Sequence, residues 1–225
     1  MGNSGIEVLS QGRNFLRLLE GLWVSMSIAL AAMALSIVFG VLLGIVMTSK
    51  NRAVRLITRT YLEFVRVMPQ LVLLFIVYFT LSTEYGINLG GRTAAIVVFA
   101  LWGTAEMGDL VRGAVQSIPA HQTSSALALG MSRAQVNRYV ILPQTVRRLV
   151  PLTINLTNRM IMTTSIVVII GVTEVLKTGQ QIIDANRFEY PDAALWVYGV
   201  VFLMYFTVCY SISLLSRYLE RKWQK

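Results

Sequence analysis

The chain has 225 residues, of which 55% are hydrophobic and 14% are charged. A soluble domain averages about 25% charged residues, so this composition indicates an integral membrane protein, with one domain expected at this length. The single cysteine, Cys209, excludes a disulfide within the chain, and the sequence contains neither a metal-ligand spacing nor a GxxxxGK[ST] phosphate loop. We therefore expect no catalytic residue, no metal site and no bound cofactor in this chain.

The first twenty residues form a polar to mixed segment, in which residues 15–19 predict a short amphipathic helix on the outer membrane surface. A transmembrane domain at residues 21–222 is expected to follow, because five apolar runs each come close to the roughly 20 residues that cross a 30 Å bilayer core. Backbone polar groups must be satisfied within lipid, so these runs predict an all-α polytopic fold with about five transmembrane helices. The runs are Trp23–Met47, Tyr61–Leu81, Thr93–Arg112, Leu149–Gly171 and Trp196–Tyr218. A short external helix is expected near residues 174–183.

Basic residues are distributed unevenly between the two sides of this topology. If the loop after the first span, the loop before the fourth and the C-terminus share one side, that side holds thirteen Lys and Arg residues, and the other holds five. The excess predicts an external N-terminus and a cytoplasmic C-terminus. The net charge of +9 is therefore a topology signal and does not indicate nucleic-acid binding.

The loop at residues 116–143 is the longest polar segment inside the apolar region, and it reads as two short helices. Gly130 suits the left-handed position just past the end of the first helix. Ser132 and Gln135 fit a capping box that starts the second, and Pro143 is expected to stop it. A loop that only connected two spans would not need helices of its own, so this loop is predicted to dock onto a partner.

The same loop carries a recognisable pattern: Ala126, Gly130, Val140, Leu142 and Pro143 stand at fixed offsets. This pattern resembles the EAA loop of ABC-importer membrane subunits, although Ser124 stands where that motif has its glutamate. The resemblance implies a coupling helix that docks into a cytoplasmic ATPase. The implied docking residues are Ser124, Ser125, Ala126, Leu127, Leu129 and Gly130.

Further motifs extend the resemblance to roughly residues 20–222 and to the polar-amino-acid branch of these permeases. They are Tyr61-Leu62-Glu63-Phe64, Met68-Pro69, Arg112-Gly113, Leu142-Pro143-Gln144, Thr164-Ser165-Ile166 and Gly171-Val172 with Glu174. The resemblance implies a bacterial inner-membrane permease that imports polar amino acids along a path at a dimer interface. The implied partners are a P-loop ATPase dimer that holds ATP and Mg, a second identical or homologous permease chain, an extracellular or periplasmic substrate-binding protein, the amino acid and the lipid bilayer.

Charged residues within the spans allow two interpretations. Glu63 with Arg66, and Asp109 with Arg112, are three residues apart and predict structural ion pairs near helix ends. Arg159 lies about ten residues into the fourth span, roughly 15 Å deep and close to the bilayer midplane. Either Arg159 and Glu106 neutralise each other, or they bind the carboxylate and amino groups of a substrate. The second interpretation favours acidic amino acids such as glutamate or aspartate.

Two other functional classes remain alternatives at this point. A stand-alone secondary transporter or channel for a small polar solute would usually need more helices or internal repeats, and it would give the folded loop no role. An enzymatic or redox membrane subunit is disfavoured because the sequence has one histidine and no nucleophile–base arrangement.

Overall fold

The computed structural model describes residues 4–223, and every regular element among them is helical. Lys225, which was counted with the basic side, and the first three residues of the N-terminal segment lie outside the described part. A short 3-10 helix, Gly5–Leu9, comes first. The helices that follow are α1 Asn14–Met47, α2 Arg52–Val67, α3 Gln70–Tyr85, α4 Gly91–Gln116, α5 Ala120–Ala128, α6 Arg133–Ile170, α7 Val175–Asn186 and α8 Ala193–Trp223.

Helices α1, α4, α6 and α8 are each long and apolar enough to cross a membrane, and α2 with α3 passes the same test only as a pair bent by 97°. The predicted all-α fold with about five spans is therefore confirmed. The expected second span, Tyr61–Leu81, is not one continuous helix, because the chain breaks at Met68 and Pro69. Met68 is extended, with ψ 127°, as expected for a residue that precedes a proline.

The predicted external amphipathic helix at residues 15–19 is not a separate element, because these residues form the beginning of α1. The boundary drawn at residue 20 therefore falls inside a helix. Leu18 is fully buried and packs in a cluster with Val8 and Val175. Phe15, Leu16 and Leu19 stay exposed, and no proline separates this segment from the first apolar run, so the helix continues without a break.

The chain consists of two compact units. The first contains Met1–Ala32, Gln70–Phe99 and Arg159–Ser211, and the second contains Met33–Pro69, Ala100–Asn158 and Ile212–Lys225. Helix α7 belongs to the first unit, and its N-terminus is capped by the side chain of Glu174, which accepts bonds from the backbone of Leu176 and Lys177. The helix predicted near residues 174–183 is thus present and runs three residues beyond its expected end.

Close packing of α1 on α4 in the second unit depends on small residues. A Cβ atom added at Gly40 would lie 2.5 Å from Met107 Cβ, and one added at Gly44 would lie 2.5 Å from Val111 Cβ. Such distances require glycine, as in membrane helices that cross through small residues four apart. The GxxxG spacing at positions 40 and 44 was the available sequence signal, and it was overlooked.

Candidate coupling and transport sites

Helix α5 forms the first half of the 116–143 loop and ends as the sequence predicted. Gly130 has φ +84°, in the left-handed region. The N–H of Gly130 donates to the carbonyl of Leu127 at 3.0 Å, and that of Met131 donates to the carbonyl of Ala126 at 3.2 Å. This pair of bonds is a Schellman motif, which satisfies carbonyls that the helix end would otherwise leave unpaired. The expected left-handed glycine is confirmed.

The second half of the loop begins with the predicted capping box. Ser132 Oγ accepts from the N–H of Gln135, and the Gln135 side chain accepts from the N–H of Ser132. The expected stop at Pro143 is wrong, because α6 continues through it. A π-helical turn at Val136–Ile141 precedes the proline. The wider turn relieves the clash that a proline ring makes with the carbonyl four residues earlier.

The six predicted docking residues differ in how they are presented. Leu129 is 84% exposed, and the other members except one are also exposed. The exception is Ala126, which is buried and therefore supports α5 from within instead of offering a contact surface. The hydroxyl of Ser124 donates to the carbonyl of His121 at 3.1 Å, so it is used within the helix. The exposed apolar surface of α5 is thus carried by Leu127 and Leu129.

Of the two predicted ion pairs, Asp109 with Arg112 forms and Glu63 with Arg66 does not. Arg112 Nε donates to Asp109 Oδ1 at 3.0 Å, as the spacing of three residues suggested. Glu63, however, accepts from Arg59 at 2.7 Å. Arg66 instead crosses to α4, where it reaches Asp109 at 2.7 Å. The i,i+3 rule found the pair within α4 but assigned Glu63 the wrong partner.

Glu106 and Arg159, the predicted substrate contacts, lie in different units of the chain. The Glu106 side chain is 11% exposed and accepts from Arg66 Nε at 2.8 Å. Arg159 lies within α6 and is exposed, as is Asn155 one helical turn earlier. Its position in α6 keeps the depth predicted from the sequence, where an arginine that faced lipid would be costly.

Sequence analysis missed the role of one group of residues. Arg52, Arg55 and Arg59 were counted only as topology signals, although their spacing of three and four residues places them on one face of α2. Together with Glu63 and Arg66 they form a continuous charged stripe along that helix. This helical spacing was the signal that could have identified it.

The helical spans define a multi-pass membrane protein with an exposed helix in one of its loops. The chain belongs to the family described as the binding-protein-dependent transport system inner membrane component, which matches residues 36–225. It is accordingly an inner-membrane protein, as the resemblance implied.

Individual relatives and a solved structure agree with this membership. The chain is 32% identical to the glutamine transport system permease protein GlnP of Escherichia coli (strain K12), over 91% of this chain and 92% of that protein. It is 27% identical to the glutamate/aspartate import permease protein GltK of Escherichia coli O157:H7, with the same coverage. A chain in the crystal structure of an amino acid ABC transporter with histidines matches with a TM-score of 0.85, at 24% identity, over 95% of this chain and 97% of that one. The structural match supports the fold.

Proposed function

We propose that this chain is the membrane-spanning subunit of an ATP-driven importer for polar amino acids. The observation that carries the proposal is the capped, exposed helix α5, which projects apolar residues from a loop inside a family of binding-protein-dependent transport components. The names of its relatives, which include glutamine and glutamate/aspartate permeases, support amino acids as the substrate class. A stand-alone channel would give α5 no function.

The proposed assembly contains further chains. A P-loop ATPase dimer, which holds ATP and Mg, docks on α5 from the cytoplasm and supplies the hydrolysis that this chain has no phosphate loop to perform. A second permease chain completes the path at a dimer interface, and a substrate-binding protein delivers the amino acid from outside. The side that carries α5 is cytoplasmic in this proposal, because it holds the larger share of basic residues.

Within the path, Arg159 is proposed to bind a carboxylate of the substrate. Its planar guanidinium matches a carboxylate bidentately, and the bond is strong where water is scarce. The proposed lean towards glutamate or aspartate rests on Arg159 alone. Glu106 is the proposed contact for the substrate amino group, and in the structure that carboxylate already has Arg66 as a partner.

Uptake into proteoliposomes that contain the permease, its ATPase and its binding protein tests this proposal. The assay compares glutamate, aspartate and glutamine for the wild type, Arg159→Met and Arg159→Lys. We expect Arg159→Met to keep assembly and basal ATP hydrolysis but to lose uptake, and Arg159→Lys to recover part of it. Arg147→Met serves as a control, because this exposed residue lies about three turns earlier on the same helix.

Three results would count against parts of this proposal. Normal uptake by Arg159→Met would exclude substrate contact. Restored uptake in an Arg159→Met, Glu106→Gln double variant would show that the two residues only neutralise each other. Failure of the wild-type complex to take up any amino acid would overturn the proposed function itself.

A further inference from the structure

A polar cavity of about 680 Å³ lies in the second unit, beside the end of α1, the beginning of α2 and the end of α4. Its walls hold six cationic side chains and two carboxylates, an excess of four positive charges. The cations are Lys50, Arg52, Arg55, Arg59, Arg66 and Arg112, and the carboxylates are Glu63 and Asp109.

Half of these cations already have acidic partners. Arg59 is paired with Glu63, and both Arg66 and Arg112 are paired with Asp109. The other three, Lys50, Arg52 and Arg55, are exposed, and no ion pair or side-chain hydrogen bond joins them to any other part of the described chain. The excess charge of the cavity is therefore concentrated at its α2 end.

The three cations also occupy an unfavourable place on their helix. They surround the N-terminus of α2, where the helix dipole is positive and where anions, not cations, are stabilising. The first turn of α2 contains no acidic residue, and its cap is the neutral side chain of Asn51, which accepts from the N–H groups of Ala53 and Val54. An anion held in the cavity would offset both the side-chain charges and the helix dipole.

The face of α2 next to these cations is apolar and uncovered in the isolated chain, and Leu56 on it also lines the cavity. Leu56, Ile57, Phe64 and Val67 are between 60% and 82% exposed. A helix with one basic face and one exposed apolar face is typical of helices that lie in the membrane interface.

From the cavity, its unpaired cations and the adjacent apolar face, we propose that this site binds the phosphate headgroup of an anionic phospholipid. The headgroup enters the cavity at Lys50, Arg52 and Arg55, and the acyl chains lie along Leu56 and its apolar neighbours. Basic pockets between membrane helices on the cytoplasmic side suit such headgroups. The positive-inside rule explains why cations occur in the loop after α1. It does not explain why these cations surround a cavity at the N-terminus of α2.

Native mass spectrometry of the full-length permease, with the subunits that co-purify, tests this site. The complex is titrated in detergent with phosphatidylglycerol and, separately, with phosphatidylcholine. We expect phosphatidylglycerol to bind about tenfold or more tightly than phosphatidylcholine, because each cation near a lipid surface adds substantially to the attraction. Equal binding of the two lipids would overturn the proposal. Displacement of phosphatidylglycerol by millimolar inorganic phosphate would also overturn it, since that result defines a site for small anions.

Matched variants decide whether the cations of the cavity are responsible for the binding of phosphatidylglycerol. Arg52→Gln with Arg55→Gln should weaken phosphatidylglycerol binding about tenfold or more, and Arg52→Lys with Arg55→Lys should keep most of it. Arg221→Gln with Lys222→Gln removes the same charge from the exposed end of α8 and should change binding less than twofold. If both Gln pairs lose the same affinity for phosphatidylglycerol, the lipid responds only to the general surface charge, and the proposed site is contradicted. Lipid that binds the isolated chain but is absent from the assembled complex would show that another subunit fills the cavity, and would also contradict it.

Discussion

Arg66 and Glu106 join α2 to α4, with Arg66 Nε lying 2.8 Å from Glu106 Oε1. The glutamate is buried, and a buried carboxylate costs free energy unless it is paired and hydrogen-bonded. Arg66 also reaches Asp109, so one guanidinium bridges two carboxylates on the same face of α4. This bridge fixes α2 beside α4 in spite of the chain break at Pro69.

Glu106→Gln removes one charge from this bridge and leaves Arg66 with Asp109. We expect the folded state to lose about 1–3 kcal/mol, because the amide replaces a charge-assisted bond in a buried position. A lower Tm in a detergent thermal-shift measurement would record the loss. Glu63→Gln provides the control, because the Arg59–Glu63 pair is exposed, and it should leave the Tm close to that of the wild type. Equal decreases in the two variants would contradict the special position of Glu106.

Gly130→Val should uncouple transport while the protein still reaches the membrane. The substitution forces a branched side chain into a left-handed conformation and so disrupts the end of α5. The measurement is substrate-stimulated ATP hydrolysis by the complete importer, at equal amounts of membrane-inserted protein. Gly113→Ala is the control, because a Cβ atom there meets no neighbour within 4 Å and the residue lies inside α4. Normal stimulation in Gly130→Val would remove α5 from the coupling mechanism.

Single cysteines test the proposed orientation. In a Cys209→Ala background, Ala185→Cys near the end of α7 and Ala134→Cys at the start of α6 each place an exposed thiol close to a helix end. On intact right-side-out vesicles, an impermeant maleimide should label the cysteine at position 185. The cysteine at position 134 should react only after the membrane is opened. The opposite labelling pattern would invert the topology inferred from the basic residues.

Glu174 is fully buried in the first unit and has four partners. Its carboxylate accepts from Ser25 Oγ at 3.1 Å and from the Tyr205 hydroxyl at 3.3 Å, and it also accepts two backbone N–H groups at the start of α7. Burial raises the pKa of Glu174 above its ordinary value, and these hydrogen bonds oppose but do not cancel the increase.

A raised pKa in the folded state has a defined effect on stability. The contribution of Glu174 is fully present below the pKa of the unfolded chain, about 4.3, and is lost as pH rises through the raised value. The Tm of the wild type should therefore fall relative to that of Glu174→Gln as pH increases from about 4 upwards. Glu189→Gln, which changes an exposed carboxylate after the end of α7, provides the control for the loss of a surface charge. A Tm difference between wild type and Glu174→Gln that is independent of pH would contradict the raised pKa.

Local sequence rules predicted the local features of the coupling loop well. Gly130 and the Ser132–Gln135 capping box depend on bonds between residues that are close in the chain, so propensity and spacing identify them. The stop expected at Pro143 failed for a reason that is also local. A π-helical turn before Pro143 relieves the clash between the proline ring and the carbonyl four residues earlier. Rules of residue propensity and spacing do not predict such a turn.

Long-range partners were beyond the same rules. Arg66 pairs with Glu106, forty positions away, and not with Glu63 on its own helix. The reason is that α4 places two carboxylates, those of Glu106 and Asp109, next to the Arg66 guanidinium. The charged stripe on α2, in contrast, was within reach of a local rule, because Arg52, Arg55 and Arg59 recur at helical spacing. The break at Met68 and Pro69 separates the amphipathic helix α2 from the apolar helix α3. The cavity beside α2 is formed by residues of α1, α2 and α4 together, so it is visible only in the folded chain.

ATP-dependent accumulation of an amino acid tests the central claim most directly. Proteoliposomes would contain this permease, its ATPase and its binding protein, with radiolabelled glutamate or glutamine outside and ATP inside. If the chain is the membrane subunit of an ATP-driven importer, the amino acid accumulates against its gradient only with ATP, and an ATPase whose phosphate-loop lysine is replaced abolishes accumulation. Equal uptake by the permease alone, without ATPase or ATP, would contradict the account and identify a stand-alone transporter or channel.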